Sequence, residues 1–252
     1  MPLELSTTAW RGLAAGVVYL LAWAAGVQLP AGAALWLARR DTPLARRVLA
    51  SRAWGYLARI LGLAFSLGYL YFSLVNAFLD PFTIGLWPPN WEGLVTWLPA
   101  VAGLSSLWCG LLWGVYWARY THRQDHSPWQ AYGTPLGTPA HILNLEVQAS
   151  ILRGSLVPVL GTYWGPWAAC GARALIATVN PSLRARLRDS QARAFLYLDL
   201  CVDILAAGCF VVSGNLWVSL AVRTAAHIAA GIVYRMLLWH GAHNSRLPAA
   251  VE

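Results

Sequence analysis

Long apolar segments separated by short polar stretches run along the chain as far as residue 238. A helix needs about 20 apolar residues to cross the hydrocarbon core of a bilayer. The segments approach that length, and none shows the alternation over about ten residues that is typical of an outer-membrane β-barrel. The pattern therefore predicts an all-α, polytopic transmembrane bundle with spans near residues 11–38, 54–79, 94–118, 141–162, 166–180, 194–213 and 216–238.

The composition agrees with burial in lipid. Hydrophobic residues make up 58% of the 252 and charged residues 11%, whereas a soluble domain carries about 25% charged residues. We therefore expect a single integral membrane domain over residues 1–252, with the lipid bilayer as its first partner. Its predicted parts are three front spans (1–118), a cytoplasmic loop (119–140), a four-span rear core (141–238) and a cytoplasmic tail (239–252).

The net charge of +8 comes from arginine alone, because the chain has no lysine. Arginines follow the first, third, fifth and seventh spans, and the alternate loops 80–93, 163–165 and 213–215 contain none. Positive loops stay on the cytoplasmic side, so this alternation predicts an outside N-terminus and an inside C-terminus. We expect the membrane to be a bacterial inner membrane. The same arrangement favours membrane orientation over nucleic-acid binding as the reason for the basic charge.

Metal and disulfide chemistry are not expected from the sequence. The four cysteines lie in apolar segments without C-x-x-C spacing, as small core residues do. His122 and His126 flank Asp125 and would share a face only in a helix, whereas a polar loop favours solvated side chains. His227 is the one histidine placed well inside a predicted span, too few for zinc. We therefore predict no metal and no cofactor.

Two pairs of glycines at four-residue spacing allow close approach of helices. They are Gly12 with Gly16 and Gly110 with Gly114. Small residues at this spacing are common where transmembrane helices pack together. Packing within the bundle is the simpler interpretation, and a homodimer through either pair is the alternative.

Charged residues inside the rear spans form the most informative feature. A charge near the bilayer centre costs roughly 2.5–3.5 kcal/mol on insertion scales, so such residues face the bundle interior and need partners. Spacings of seven and four residues place the charges of each helix on one face. Three arginines and three carboxylates allow a neutral cluster. The predicted polar core consists of Glu146, Arg153, Arg173, Asp199, Asp203, Arg223 and His227.

Three interpretations of this polar core remain open. The first is mutual pairing that fixes how the helices meet. The second is hydrolysis, with Glu146 as the base, His227 and Asn180 as oxyanion donors and Arg153 holding the carboxylate. The third is transport of a small molecule or proton through Asp199, Asp203 and His227, although the chain has no internal repeat of the kind expected in transporters.

The order of these features resembles the CPBP intramembrane protease family, which includes the CAAX prenyl endopeptidases. The stretch Gln148–Gly154, followed by Pro158, is similar to the family's EExxxR-G helix and its proline. Residues 176–180 stand where the FxxxH motif would fall. Residues 213–217, followed by Arg223 and His227, resemble the last motif. Residues 84–89 resemble the entry segment that is common upstream of the family core. The resemblance covers residues 84–235 and implies a CPBP-like core in the rear part.

The family's chemistry is not retained in the matching positions. Both motif glutamates are replaced, by Gln148 and Ala149. The motif histidines are replaced by Asn180 and Arg223 and the final asparagine by His227, so of this set only Arg153 is retained. Glutamine cannot accept a proton at neutral pH. The resemblance thus implies a catalytically degenerate scaffold or accessory subunit that binds another membrane protein, with a rewired, glutamate-dependent peptidase as the alternative. The motif-equivalent positions are Gln148, Ala149, Arg153, Asn180, Arg223 and His227.

Overall fold

A computed structural model of the protein describes residues 6–39, 52–86, 91–120, 137–179 and 190–244. These residues form helices joined by turns, so the predicted all-α class is confirmed for this part of the chain. The helices are α1 (Thr7–Arg39), α2 (Arg52–Val75), α3 (Trp91–Tyr120), α4 (Gly137–Val179), α5 (Ser190–Ser213) and α6 (Leu216–Asn244).

Four stretches of these helices are long and apolar enough to cross a membrane. They are Thr7–Gly26, Leu98–Tyr116, Leu196–Ser213 and Leu216–Val233, and α2 adds the shorter apolar stretch Ile60–Val75. Length and composition therefore agree with an integral membrane protein, as the hydropathy pattern predicts.

Helix α4 folds back on itself at Gly161, where the backbone leaves the helical region (φ 80°, ψ 170°). Such a positive φ favours glycine, because a side chain would clash with the backbone. In a straight helix Leu145 and Arg173 would lie about 42 Å apart at 1.5 Å per residue. Here the Arg173 guanidinium donates a 3.3 Å hydrogen bond to the Leu145 carbonyl. Residues 137–160 and 162–179 are therefore two antiparallel legs, which the sequence predicts as separate spans.

The first leg of α4 is the centre of the packing. Helices α1 and α2 pack against α4, and so do α5 and α6, while α3 packs mainly against α6. Every residue from 145 to 155 is buried, although this stretch carries two charges. Charged side chains in the leg are thus removed from lipid on all sides, which is what an intramembrane charge requires.

A turn after α2 brings the chain onto this leg. Helix α2 ends at Val75, four residues before the predicted boundary, and residues 76–86 form successive turns. Ile84 is fully buried in this turn, and a Cβ added at Gly154 would lie 2.6 Å from its Cγ2. Gly154 follows Arg153 directly, so the turn can pack here only because this position has no side chain.

Candidate functional site

Glu146 is held by donors at both of its carboxylate oxygens. Arg153, two turns further along α4, donates from Nη2 to Oε1. From α6, Arg223 donates from Nε to Oε2 at 2.8 Å, and the Ser219 hydroxyl donates to the same oxygen at 3.0 Å. Glu146 and Arg153 are each 2% exposed and Arg223 is 1% exposed. The carboxylate is therefore surrounded by protein donors.

Arg223 extends the pairing to a second carboxylate. Its Nη1 donates to Oδ1 of Asp203 on α5. Arg173, on the second leg of α4, donates from Nη1 to the same Oδ1 at 2.7 Å. Each buried carboxylate thus meets two arginines, which is the arrangement that makes buried charge tolerable. We call this set the charge network, and its members are Glu146, Arg153, Arg173, Asp203, Ser219 and Arg223.

Further contacts fix the orientation of the Arg153 guanidinium. Its Nη1 donates to the Ser219 hydroxyl at 3.2 Å, and its Nη2 also donates to the Ser150 hydroxyl at 3.1 Å. The guanidinium carbon lies 4.0 Å from the centroid of the Phe210 ring. A cation over an aromatic face gains electrostatic attraction, more so away from water. Arg153 is therefore held on two sides, by hydroxyls and by a ring.

The cavity beside the charge network is small. Its volume is about 10 Å³, which is about the space that one water molecule needs. A peptide substrate would need far more room than this. The residues that line it are Ala149, Arg153, Pro166, Ala169, Cys170, Arg173, Asp203, Ala207 and Arg223.

A second polar cluster lies one helical turn from the charge network. Asp199 Oδ1 lies 3.1 Å from Nε2 of His227, and Oδ2 lies 3.1 Å from Nε2 of His141. Asp199 precedes Asp203 by four residues, and His227 follows Arg223 by four, so each helix contributes to both clusters from one face. His227 also donates from Nδ1 to the Arg223 carbonyl at 2.8 Å. We call His141, Asp199 and His227 the histidine cluster.

The structure brings the seven residues of the predicted polar core together in these two clusters. Five belong to the charge network, and Asp199 and His227 belong to the histidine cluster. Gln148 and Ala149 are buried as well, and Ala149 lines the small cavity. Asn180, His122, Asp125 and His126 lie outside the described residues.

Sequence reasoning missed His141, Ser150, Phe210 and Ser219. His141 is the first residue of a predicted span. A histidine at such a boundary can be solvated, so the sequence did not indicate a partner on another helix. Ser219 stands four residues before Arg223, and that spacing is the one signal that could have placed it on the same face. Serine and phenylalanine are ordinary in apolar helices, so neither residue type draws attention by itself.

The paired glycines contact this chain's own helices. A Cβ at Gly16 would lie 2.7 Å from the side chain of Ser155, and one at Gly12 would lie 3.6 Å from the backbone of the same residue. A Cβ at Gly110 or Gly114 would contact Val233, at 3.6 and 3.4 Å. These positions allow α1 to approach α4 and α3 to approach α6, in keeping with packing inside the bundle.

Comparison of the chain with protein-family models, with curated proteins and with solved structures finds no match.

Proposed function

We propose that the protein is a catalytically inactive scaffold or accessory subunit, with a CPBP-like core, that binds another membrane protein. The observation that carries the proposal is the pairing of both Glu146 oxygens with protein donors. A general base must present a lone pair to the water that it activates. Three of the about four lone pairs of Glu146 instead accept hydrogen bonds from Arg153, Arg223 and Ser219. A carboxylate with these partners serves to join helices.

The surroundings of the network support the same conclusion. His227, the oxyanion donor of an active arrangement, has its two ring nitrogens directed at the Arg223 carbonyl and at Asp199. The adjoining cavity has room for about one water molecule. With the interior filled in this way, recognition of another protein falls to the outer surfaces of the helices.

The fuller membrane arrangement is part of the proposal. Seven spans would follow if each leg of α4 crosses the bilayer, together with α1, α2, α3, α5 and α6. The first leg is polar for a span, and burial among four other helices makes its charges acceptable. The alternation of arginine between loops favours an outside N-terminus. A bacterial inner membrane is the location that we propose.

The peptidase alternative is tested with the purified, full-length protein in mild detergent. Wild-type protein and Glu146→Gln are incubated with membrane-embedded and prenylated peptides, and the products are analysed by mass spectrometry. We expect no cleavage by either protein. Cleavage by the wild type that Glu146→Gln abolishes would overturn the inactive assignment.

The scaffold assignment is tested on protein extracted from its native membranes. After size-exclusion chromatography, native mass spectrometry should show the chain together with a second membrane protein in a fixed ratio. A chain that runs alone as a monomer would contradict the scaffold assignment.

A further inference from the structure

Three metal-ligating side chains from three helical segments converge in the histidine cluster. His141 comes from the first leg of α4, Asp199 from α5 and His227 from α6. One ligand atom from each residue lies within 4.8 Å of the other two. Their spread over the sequence means that no local motif produces the cluster and that the fold itself places it.

The hydrogen bonding of His227 leaves one nitrogen facing the cluster. Its Nδ1 lies 2.8 Å from the Arg223 carbonyl, which can only accept, so Nδ1 carries the proton. In the neutral ring the lone pair then sits on Nε2, and Nε2 faces a carboxylate oxygen of Asp199 at 3.1 Å. Metal-binding histidines usually donate their second nitrogen to a carbonyl or carboxylate in this way. Nε2 of His227 and the Asp199 oxygen are thus two acceptors that face each other, and a cation between them would bind to both.

We propose that His141, Asp199 and His227 bind a divalent first-row transition metal ion, with Zn²⁺ as the representative. Tetrahedral zinc with bonds of about 2.0–2.1 Å separates its ligand atoms by about 3.3 Å. The Nε2 atoms of His227 and His141 each lie 3.1 Å from a different oxygen of Asp199, so the ion would lie between both oxygens and both nitrogens. The ligand atoms, which lie within 4.8 Å of one another, would move closer together around it. Two imidazoles and one carboxylate form a donor set that suits zinc and iron, and a water molecule completes the coordination.

The ion would join three helical segments at one level of the bundle. Asp199 and His227 stand one turn from Asp203 and Arg223, so the metal site and the charge network form two successive layers across α5 and α6. His141 is 23% exposed on its side chain, which provides a route for the ion. By joining these segments the ion would stabilise the helix bundle, and this role goes beyond the proposed scaffold function. Either proposal can fail while the other stands.

A proton is the competing occupant of the same geometry. A second proton on His227 would let Nε2 donate to Asp199, and the cluster would then hold an ion pair and no metal. Zn²⁺ uptake distinguishes the metal from the proton, because only a metal site gives saturable uptake of Zn²⁺ by the whole protein.

The experiment uses full-length protein without a polyhistidine tag, stripped with chelator and held in lipid nanodiscs. Zn²⁺ is titrated against a competing indicator, and bound metal is counted by elemental analysis. We expect one equivalent of Zn²⁺ and a zinc-dependent rise in the melting temperature. His141→Ala should weaken binding by at least about tenfold, since even residues behind the ligands have effects of that size.

The double variant His122→Ala/His126→Ala is the control for histidines outside the described residues, and it should bind as the wild type does. Wild-type protein without saturable Zn²⁺ uptake would overturn the proposal and leave the proton as the occupant. Binding that survives His141→Ala, or that depends on His122 and His126, would overturn it as well.

A second variant tests ligation directly and keeps a donor in place. His141→Cys loaded with Co²⁺ should show a new thiolate-to-cobalt charge-transfer band in the near ultraviolet. The wild type, whose cysteines lie elsewhere, should show only the weak visible bands of cobalt bound by nitrogen and oxygen. Absence of the new band in Co²⁺-treated His141→Cys would place residue 141 outside the coordination sphere and overturn the proposal.

Discussion

Arg223 and Glu146 stand 77 residues apart in the sequence, and Nε of Arg223 donates a 2.8 Å hydrogen bond to Oε2 of Glu146. The same guanidinium donates through Nη1 to Asp203. One cation therefore serves two carboxylates on two different helices. Because burial removes the water that would solvate these charges, stability depends on the balance of the whole network and not on a single pair.

Removing Glu146 should destabilise the protein more than removing both members of the pair. Glu146→Gln leaves Arg153 and Arg223 facing each other without their shared carboxylate, and an uncompensated buried charge costs about 3–5 kcal/mol. Adding Arg223→Met removes one of the two opposed cations. We expect the double variant to unfold at a higher denaturant concentration than Glu146→Gln alone, measured in detergent micelles.

The coupling between the two sites should amount to at least about 1 kcal/mol, as is usual for contacting residues. Arg235→Gln controls for the loss of an arginine from α6 and should stay within about 0.5 kcal/mol of wild type. Additive effects of the two network substitutions would contradict a shared network.

Gly16→Ala should destabilise the contact between α1 and α4. The new Cβ would lie 2.7 Å from both Cβ and Oγ of Ser155, which is too close for either atom. Overpacking of this kind costs about 1–3 kcal/mol. Ser155→Gly removes both atoms and should restore part of the lost stability in the double variant, as followed by thermal unfolding.

Gly12→Ala is the matched control one turn away, where the nearest atoms are 3.6 Å from the new Cβ. It should be neutral or slightly stabilising, because alanine favours the helix over glycine by roughly 0.5–1 kcal/mol. Equal losses at Gly12 and Gly16 would show that α1 does not pack on α4 as described.

Gly85→Ala should be more harmful than Gly214→Ala. Both glycines have positive φ, at 75° and 61°. A Cβ at Gly85 would also lie 2.6 Å from the Gly214 carbonyl oxygen and 2.6 Å from the Phe210 ring, whereas one at Gly214 meets nothing within 4 Å. Left-handed backbone costs roughly 1–2 kcal/mol for either alanine.

The steric clash should add about 1–3 kcal/mol at Gly85 alone. The Gly85 carbonyl also accepts a 3.0 Å hydrogen bond from the Leu216 amide, so displacing the turn disturbs the start of α6. Comparison of the two melting temperatures checks the prediction, and a larger loss for Gly214→Ala would contradict it.

The orientation of the chain can be measured with terminal fusions in bacterial cells. Green fluorescent protein joined to the C-terminus should fluoresce, because the arginine-bearing loops predict that this end is cytoplasmic. Alkaline phosphatase, which needs the periplasm, should be inactive at the same position. The reverse pair of results would refute the predicted orientation.

The residues of the site were largely predictable, because charge in an apolar helix must have a partner. Glu146 and Arg153, seven residues apart, could be placed on one face from their spacing alone. The pairing across helices could not be predicted. Asp203 meets arginines and Asp199 meets histidines because of the relative heights of α4, α5 and α6, which the hydropathy of each separate segment does not record.

The helical segments of the fold were predictable from the sequence, whereas the position of the chain reversal and the packing partners of the helices were not. The loop expected at residues 163–165 is helical, and the reversal occurs at Gly161 through one positive φ. Helix α3 belongs to the predicted front half, and it packs mainly on α6. Such packing depends on small residues such as Gly110 and Gly114 meeting Val233, and spacing alone does not identify their partner.

The chain order of the charge network has a consequence for biogenesis. During translation Glu146 is followed seven residues later by Arg153 in the same helix, and Asp203 emerges after Arg173, so each acid can enter the bilayer with a basic partner. Arg223 is synthesised last and contacts both acids. The nascent protein can thus integrate as neutral pairs, which Arg223 then joins once α6 has been synthesised.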